Sequence, residues 1–269
     1  MKFLRLFLAS WIIGSFLWIE KGVANLGFQN IGEAELRDIT QDLAANFSHR
    51  SITGAKSLGS VFGFEANLVG GMTTSSRIDK ISKNSGAGGL ANLYTAGLLL
   101  GVSVPFGFTF EGLLLPSLSS SQFNFGGYSV GVRWLMNDLV PVLPINLSLR
   151  YNWSSTRFGF NQNLGGGLTG EIKSDTSVQE IGLYLSPNLP LVEPYLGVAT
   201  VSSRGSLEFT GTGNIFNTSF SVSNSASTTV SSTKTVIGLS LLMPFFSFGV
   251  EYVTLFGTSG YGLKLGVSF

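Results

Sequence analysis

The chain has 269 residues, of which 12% are charged and 35 are glycine, and its formal net charge is +1. Ordinary soluble domains carry about 25% charged residues, so this composition argues against a helical enzyme and favours a β architecture. The near-neutral charge gives no electrostatic basis for nucleic-acid binding, and the absence of cysteine excludes disulfides, thiolate metal sites and thiol catalysis.

The first 24 residues have the layout of a secretory signal peptide. Lys2 and Arg5 precede an apolar run, Leu6 to Ile19, and small residues follow up to Ala24. A transmembrane helix needs about 20 apolar residues, so a cleaved signal peptide over residues 1–24 is predicted rather than an anchor. Cleavage would leave 13 basic and 14 acidic residues.

An amphipathic helix is predicted over residues 31–47, inside an N-terminal segment that covers residues 25–58. Its apolar residues recur at helical spacing: Leu36, Ile39, Leu43 and Phe47. A helix this short is marginal alone in water, so its apolar stripe must be buried against something else.

From Gly59 onward the hydrophobic period changes to two, which predicts strands with one apolar face. The plainest example is Ile145–Ser154, where Ile, Leu, Leu, Tyr and Trp alternate with Asn, Ser, Arg, Asn and Ser. About ten such segments are predicted, the others being residues 61–71, 93–104, 106–114, 128–134, 181–185, 195–202, 237–243, 246–252 and 260–269.

Two kinds of connector alternate between these strands. Short connectors contain proline, whereas residues 72–92, 158–176 and 203–233 are long and rich in Gly, Ser, Thr and Asn. Short turns at one end and long polar loops at the other are typical of a transmembrane β-barrel. Residues 59–269 are therefore predicted to form an all-β, antiparallel up-and-down barrel of about ten strands, with 8 or 12 as alternatives. A soluble, secreted β protein such as a sandwich is the more distant alternative.

The C-terminal segment has the cleanest alternation. Its large apolar residues are Tyr261, Leu263, Leu265, Val267 and Phe269. This ending resembles the assembly signal of Gram-negative outer-membrane β-barrel proteins, which ends in Phe. The resemblance is to the class alone, and it implies an outer-membrane location, contact with outer-membrane lipid and recognition by the barrel assembly machinery. The last strand is expected to pair with the first, because an open sheet edge in lipid leaves backbone groups unsatisfied.

The inward face predicted from the alternation carries both signs of charge. Its members are Glu65, Glu111, Arg133, Arg150, Glu180, Glu251 and Lys264. Buried charges must pair, so these residues either fill a small barrel with salt bridges or line a narrow water-filled path that selects solutes.

No catalytic or metal site is predicted, and no cofactor. Outer-membrane proteases of the omptin type and outer-membrane phospholipases need a histidine base, whereas His49 is the single histidine here and follows the predicted helix. His49 is expected to be a solvated helix-end residue. The prediction is therefore a non-enzymatic protein whose partner is a small solute or an extracellular ligand.

The function predicted first is a narrow passive channel. The helix is expected in the lumen, against Leu99, Leu113, Val253 and Leu255, or at the periplasmic mouth; the alternative places it on the inner leaflet of the outer membrane. In the lumen it would act as a plug, an arrangement that loosely resembles hydrophobic-solute transporters. Deleting residues 31–47 is then expected to raise permeability with the barrel still folded, and polar substitution of Leu43 and Phe47 together is expected to mimic the deletion. Both termini are expected in the periplasm. A non-conducting structural or adhesin-like barrel, with residues 203–233 as its contact surface, stays open as the alternative.

Overall fold

The structure is a computed structural model that describes residues 32–59, 61–84, 89–119, 123–137, 145–165, 168–215, 218–243 and 245–269. The predicted signal peptide lies outside these residues. Among the described helices, none combines the length and the apolar character that crossing a membrane requires.

Ten strands and two α-helices follow one another along the described chain. The helices are α1 (Glu33–Phe47) and α2 (Ser76–Asn84), with a short 3-10 turn at Pro105–Gly107. The strands are β1 (Gly63–Thr74), β2 (Asn92–Val104), β3 (Phe108–Ser119), β4 (Phe123–Leu135), β5 (Ile145–Gly165), β6 (Leu168–Pro187), β7 (Val192–Ile215), β8 (Thr218–Met243), β9 (Phe246–Leu255) and β10 (Thr258–Ser268).

The strands form one closed antiparallel barrel in which each pairs with its neighbours in sequence and β10 pairs with β1. The seam is completed at the C-terminus, where the Phe269 N–H donates to the Phe64 carbonyl at 2.8 Å and the Phe64 N–H donates back at 2.9 Å. The prediction of a ten-strand up-and-down barrel is confirmed. A soluble sandwich is excluded, because no sheet edge is left open.

The two ends of the barrel differ. We call the end that carries the β1–β2, β3–β4, β5–β6, β7–β8 and β9–β10 connections the loop end. The opposite end, which carries the remaining connections and the C-terminus, is the turn end. In outer-membrane barrels the short turns face the periplasm and the longer connections face outward.

The barrel wall is apolar outside and polar inside. In β1, for example, Phe64 is 57% exposed whereas the next residue, Glu65, is 3% exposed. Aromatic pairs ring the outer surface near both ends, at Phe108–Trp134 and Phe245–Phe269 on the turn side and at Tyr128–Trp153 and Tyr252–Tyr261 on the loop side. An apolar belt between two aromatic girdles is the surface of a barrel that spans a membrane.

Two predicted loops are strands instead. The described residues of 158–176 continue the β5–β6 ladder, with one register shift between Asn163 and Gly165, and those of 203–233 continue the β7–β8 ladder in unbroken register. The four strands have 20 to 26 residues, about twice the 9–11 that cross a membrane. Ser and Thr keep the strand conformation there because the backbone pairs continue, so composition alone was a poor guide.

The third predicted loop, residues 72–92, contains α2. The Asp79 N–H donates to the Ser75 carbonyl at 2.8 Å, and Lys83 pairs with Asp79 at 2.6 Å. Nine residues give too short a periodic pattern to separate a helix from a polar loop, which is why the sequence analysis missed it.

Candidate functional site

The candidate site is the barrel interior. The seven charged residues predicted to face inward are buried there, with exposures from 1% to 8%: Glu65, Glu111, Arg133, Arg150, Glu180, Glu251 and Lys264. The structure adds Glu193, which is 0% exposed, and Lys234, which is 2% exposed. Both were missed because they lie where the sequence suggested a turn or a polar loop.

The N-terminal segment runs through this interior from the loop end to the turn end. Helix α1 begins at the loop end, where Glu33 and Ala34 are exposed. Because β7 runs from the turn end to the loop end, contacts with it and its neighbour give the direction. Near the start of the segment, Thr40 contacts Gly205, and Ala45 lies in one apolar cluster with Val201. Further along, the His49 carbonyl accepts from Lys234, which is paired with Ala199 in the ladder, and the Lys56 N–H donates to Glu193. The β7 positions that are met thus run from its loop end toward its turn end. Gly32 and Phe269 therefore lie at opposite ends of the barrel; the N-terminus that the sequence analysis expected in the periplasm lies outside the described residues.

Helix α1 occupies the loop-end half of the lumen through apolar contacts. Its four stripe residues are 2% to 8% exposed: Leu36, Ile39, Leu43 and Phe47. Ile39, Leu43 and Phe47 pack with Ile78 of α2, and the Phe47 ring lies 5.0 Å from that of Phe125. On the next face, Ala44 and Ala45 cluster with Leu255. The helix therefore lies neither at the turn-end mouth nor on the outer surface of the barrel.

The other expected contacts of α1 belong elsewhere. Leu99 and Leu113 pack against Ile52, and Val253 packs in a separate cluster with Tyr184 and Tyr195. The helix therefore lies closer to the loop end than the sequence analysis expected, and residues 48–56 continue from it toward the turn end.

An ion pair between a partly exposed arginine and a buried carboxylate joins α1 to α2. The Asp42 carboxylate is 0% exposed and lies 2.8 Å from Nη1 of Arg77. It also accepts the backbone N–H groups of Arg77 and Ile78, each at 3.0 Å. Asp42 thus satisfies free amides at the start of α2 and holds that helix over the loop-end opening.

Residues 48–56, which we call the strap, continue from α1 toward the turn end. Residues 48–55 are all buried, although the sequence SHRSITGAK contains one large apolar residue, Ile52. Ile52 is 0% exposed and has a positive φ of 47°, a region that β-branched residues rarely adopt. The strap was missed because its polar composition resembles that of a solvated linker.

His49 and Arg50 begin the strap. The His49 Nδ1 lies 2.7 Å from Ser129 Oγ and its Nε2 lies 3.1 Å from a Glu111 carboxylate oxygen. Arg50 donates to Thr73 Oγ1 and to the Tyr261 carbonyl, both at 2.8 Å. The expectation of a solvated His49 is wrong: the residue is 3% exposed, because the chain continues into the barrel after α1.

The middle of the strap is held by cations of the wall. Arg150 donates to Ser51 Oγ and to the Thr53 carbonyl, both at 2.7 Å, and to the Gly54 carbonyl at 2.5 Å. Arg133 reaches the Gly54 carbonyl at 3.3 Å, and Lys264 donates to the Thr53 hydroxyl.

The end of the strap is held by Glu193, which accepts the Lys56 N–H at 2.9 Å and the hydroxyls of Ser186 and Ser240 at 2.7 and 3.1 Å. Gly54 passes so close that a Cβ there would lie 2.2 Å from Glu193 Cδ. A residue without a side chain is therefore required for this approach.

Three wall pairs neutralise most of the remaining charge: Glu65–Lys264 at 3.2 Å, Glu111–Arg133 at 3.5 Å and Glu180–Lys234 at 2.9 Å. Within the described part of the chain, no group of His, Cys, Asp or Glu side chains could hold a metal ion.

The whole length of the barrel matches one protein family. The family model, described as a family of unknown function (DUF6588), matches residues 13–267. The chain belongs to this family. A comparison with curated proteins gives no match.

Solved structures similar to this DUF6588 member are barrels of low identity. The translocator domain of the autotransporter NalP from Neisseria meningitidis is 11% identical, with 78% of this chain and 89% of that chain covered and a TM-score of 0.41. The outer-membrane protease OmpT from Escherichia coli is 9% identical, with 77% and 94% covered and a TM-score of 0.40. The attachment invasion locus protein Ail of Yersinia pestis is 13% identical, with 78% and 99% covered and a TM-score of 0.32. We draw no functional conclusion from these likenesses.

The lumen of the DUF6588 member is charge-balanced only with the strap in place. The described strands contribute five buried carboxylates and four buried cations, and Arg50 of the strap supplies the fifth cation. The strap and the wall therefore complement each other electrostatically.

Proposed function

We propose that this protein is a non-enzymatic outer-membrane channel for small polar solutes that is closed by its own N-terminal segment, residues 33–56. The observation that carries the proposal is that a segment outside the barrel sheet fills a polar lumen and is attached to the wall by hydrogen bonds. Outer-membrane lipid is the proposed surrounding of the apolar belt, and the barrel assembly machinery the proposed reader of the C-terminal strand.

A polar filling is a poor solution for a barrel that stays permanently closed. Replacing buried ion pairs with packed apolar residues is often neutral or stabilising, so a purely structural barrel has no need of the ten buried charges that the described strands and the strap contribute. A lumen that is hydrated in its open form needs such charges, because its wall must then face water.

Buried polar atoms without a hydrogen-bond partner among the described residues support the same function. Both side-chain polar atoms of Asn46, and Nε and Nη2 of Arg133, are buried without a hydrogen-bond partner within the described residues. Buried polar groups are nearly always satisfied by protein or by ordered water. The closed lumen is therefore expected to hold water along the segment, and water in place of the segment could satisfy the wall.

The experiment is planar-bilayer recording of the intact mature protein and of a variant that lacks residues 33–56. We expect the intact protein to be closed most of the time and the deletion variant to conduct steadily. Heat-dependent migration in detergent gels checks that both are folded barrels. A folded deletion variant that does not conduct would contradict the channel.

A surface-interaction role is the second candidate, because the β5–β6 and β7–β8 hairpins extend well beyond the apolar belt. Outward apolar side chains on β7 end at Val198, 17 residues before the strand ends at Ile215. If the deletion variant is silent, binding of cells or matrix that depends on these hairpins is the expected activity.

A further inference from the structure

The oxygens of strap residues 51–54 occupy a cationic site on the lumen wall. Arg150 alone donates to three of them, at 2.5–2.7 Å; Arg133 shares the Gly54 carbonyl with it, and Lys264 contacts a fourth oxygen, the Thr53 hydroxyl. The Thr53 and Gly54 carbonyls both accept from Nη2 of Arg150, and the Ser51 hydroxyl accepts from Nη1.

Arg150 has no carboxylate at ion-pair distance among the described residues. It is 3% exposed and lies over the Tyr184 ring, with its Cζ 3.7 Å from the ring centroid. Arg133 and Lys264 do have carboxylate partners, Glu111 and Glu65. Of the three cations, Arg150 is therefore the one whose charge is solvated by neutral strap oxygens and not by a carboxylate in direct contact.

The site also has N–H donors that no described residue accepts from. Nε of Arg150, and Nε and Nη2 of Arg133, are buried and have no hydrogen-bond partner within the described chain. A guanidinium carries five N–H donors in a planar fork that fits two oxygens of one carboxylate. The strap carbonyls leave part of this donor capacity unused.

We propose that Arg150, with Arg133, binds the carboxylate of a small anionic solute, and that this carboxylate replaces the Thr53 and Gly54 carbonyls. The inference rests on the proposed channel, since the solute must reach the lumen. A carboxylate adds the attraction of opposite charges and a bidentate geometry to its hydrogen bonds with a guanidinium, and neutral carbonyls supply neither. A carboxylate at Arg150 therefore favours the state in which the strap is displaced, and solute binding opens the path that the solute uses.

The test uses the natural absence of cysteine. Ala55→Cys places a thiol next to the site at a position that is 0% exposed, and its rate of modification by neutral iodoacetamide reports displacement of the strap. Ser48→Cys is a nearly isosteric second reporter at a position that is 2% exposed, in case a thiol at residue 55 disturbs the strap. Rates are measured on the full mature protein in sodium succinate and in sodium chloride of equal ionic strength.

We expect saturating succinate to raise the modification rate about tenfold, the effect of roughly one additional charge-assisted hydrogen bond. Arg150→Gln removes this response whatever its own baseline rate. Arg157→Gln is the matched control on the same strand, since Arg157 is exposed and pairs with Asp175 outside the lumen; it keeps the full response.

Equal rates in succinate and chloride for both reporters would overturn the carboxylate site, as would a response that survives Arg150→Gln. Failure of the channel is separate from this result. If the variant without residues 33–56 conducts and succinate has no effect, the channel stands without the site. If that variant is silent while succinate raises the rates, the site stands as a ligand-binding site of a barrel that does not conduct.

Discussion

Helix α1 and the strap close the same lumen by different physics. The helix buries an apolar stripe against α2 and the upper wall, and returning that stripe to water costs about 25 cal/mol per Å² of apolar surface. The strap is held mainly by hydrogen bonds to charged side chains, and water can replace such bonds at a net loss of only about 0.5–3 kcal/mol each. Under the proposed channel function, the helix is therefore the anchor and the strap the exchangeable seal.

The largest expected effect is an all-or-none difference in accessibility between the two ends of the barrel. Ala34 is exposed at the loop end and Leu189 is exposed at the turn end. We expect Ala34→Cys to react with a membrane-impermeant maleimide on intact cells, and Leu189→Cys to react only after the outer membrane is permeabilised. The cysteine-free parent is the control for background labelling.

Labelling of Leu189→Cys but not Ala34→Cys on intact cells would reverse the orientation of the barrel. Protection of both would mean that the loop-end mouth is covered in the cell. Either result would change which half of the lumen a solute meets first.

The next effect separates the anchor from the seal. Removing residues 33–47 alone leaves the strap, whose bonds to Arg150 and Glu193 do not involve α1. We expect this variant to conduct far less than the variant that lacks residues 33–56, in single-channel recordings at equal salt. The sequence analysis predicted that removing residues 31–47 would by itself raise permeability; equal conductance of the two deletions would support that simpler plug.

The contrast between helix α1 and the strap also explains which parts of the structure could be predicted from the sequence. The ten strands and the burial of Glu65 or Arg150 could be predicted from a period of two. The burial of Leu36 and Phe47 could be predicted from helical spacing. The strap has neither period, because its residues bond to several different wall strands and no single face repeats. Its path is set by tertiary contacts, for example Gly54 against Glu193, and these depend on pairings far apart in sequence.

A smaller effect is expected from loosening the anchor without removing it. Leu43→Asn with Phe47→Asn places two polar groups in the apolar cluster around Ile78, and truncating such residues to alanine already costs about 2–5 kcal/mol each. Hydrogen–deuterium exchange should accelerate over residues 33–47 and change little over residues 48–56. Arg37→Gln, on the exposed face of α1, is the matched control and should leave both rates unchanged.

Uniform acceleration over both segments would show that α1 and the strap open as one unit. The anchor and the seal would then be a single plug, and the sequence-based expectation that these two substitutions mimic deletion of the helix would be the better description.

The smallest effect is expected from the addition of a single methyl group to the strap. In Gly54→Ala the new methyl group meets the Glu193 carboxylate at 2.2–2.6 Å, so the strap must shift, at a cost of about 1–3 kcal/mol typical of overpacking. Gly112→Ala is the matched control in the same barrel, because a Cβ at residue 112 meets nothing within 4 Å. We expect Gly54→Ala to lose protection from exchange at the Lys56 N–H, which donates to Glu193, while the α1 amides and the heat-modifiable migration stay as in the parent. If α1 loses protection as well, strain at the seal is transmitted along the segment to the anchor, and the two halves of the lumen are mechanically coupled.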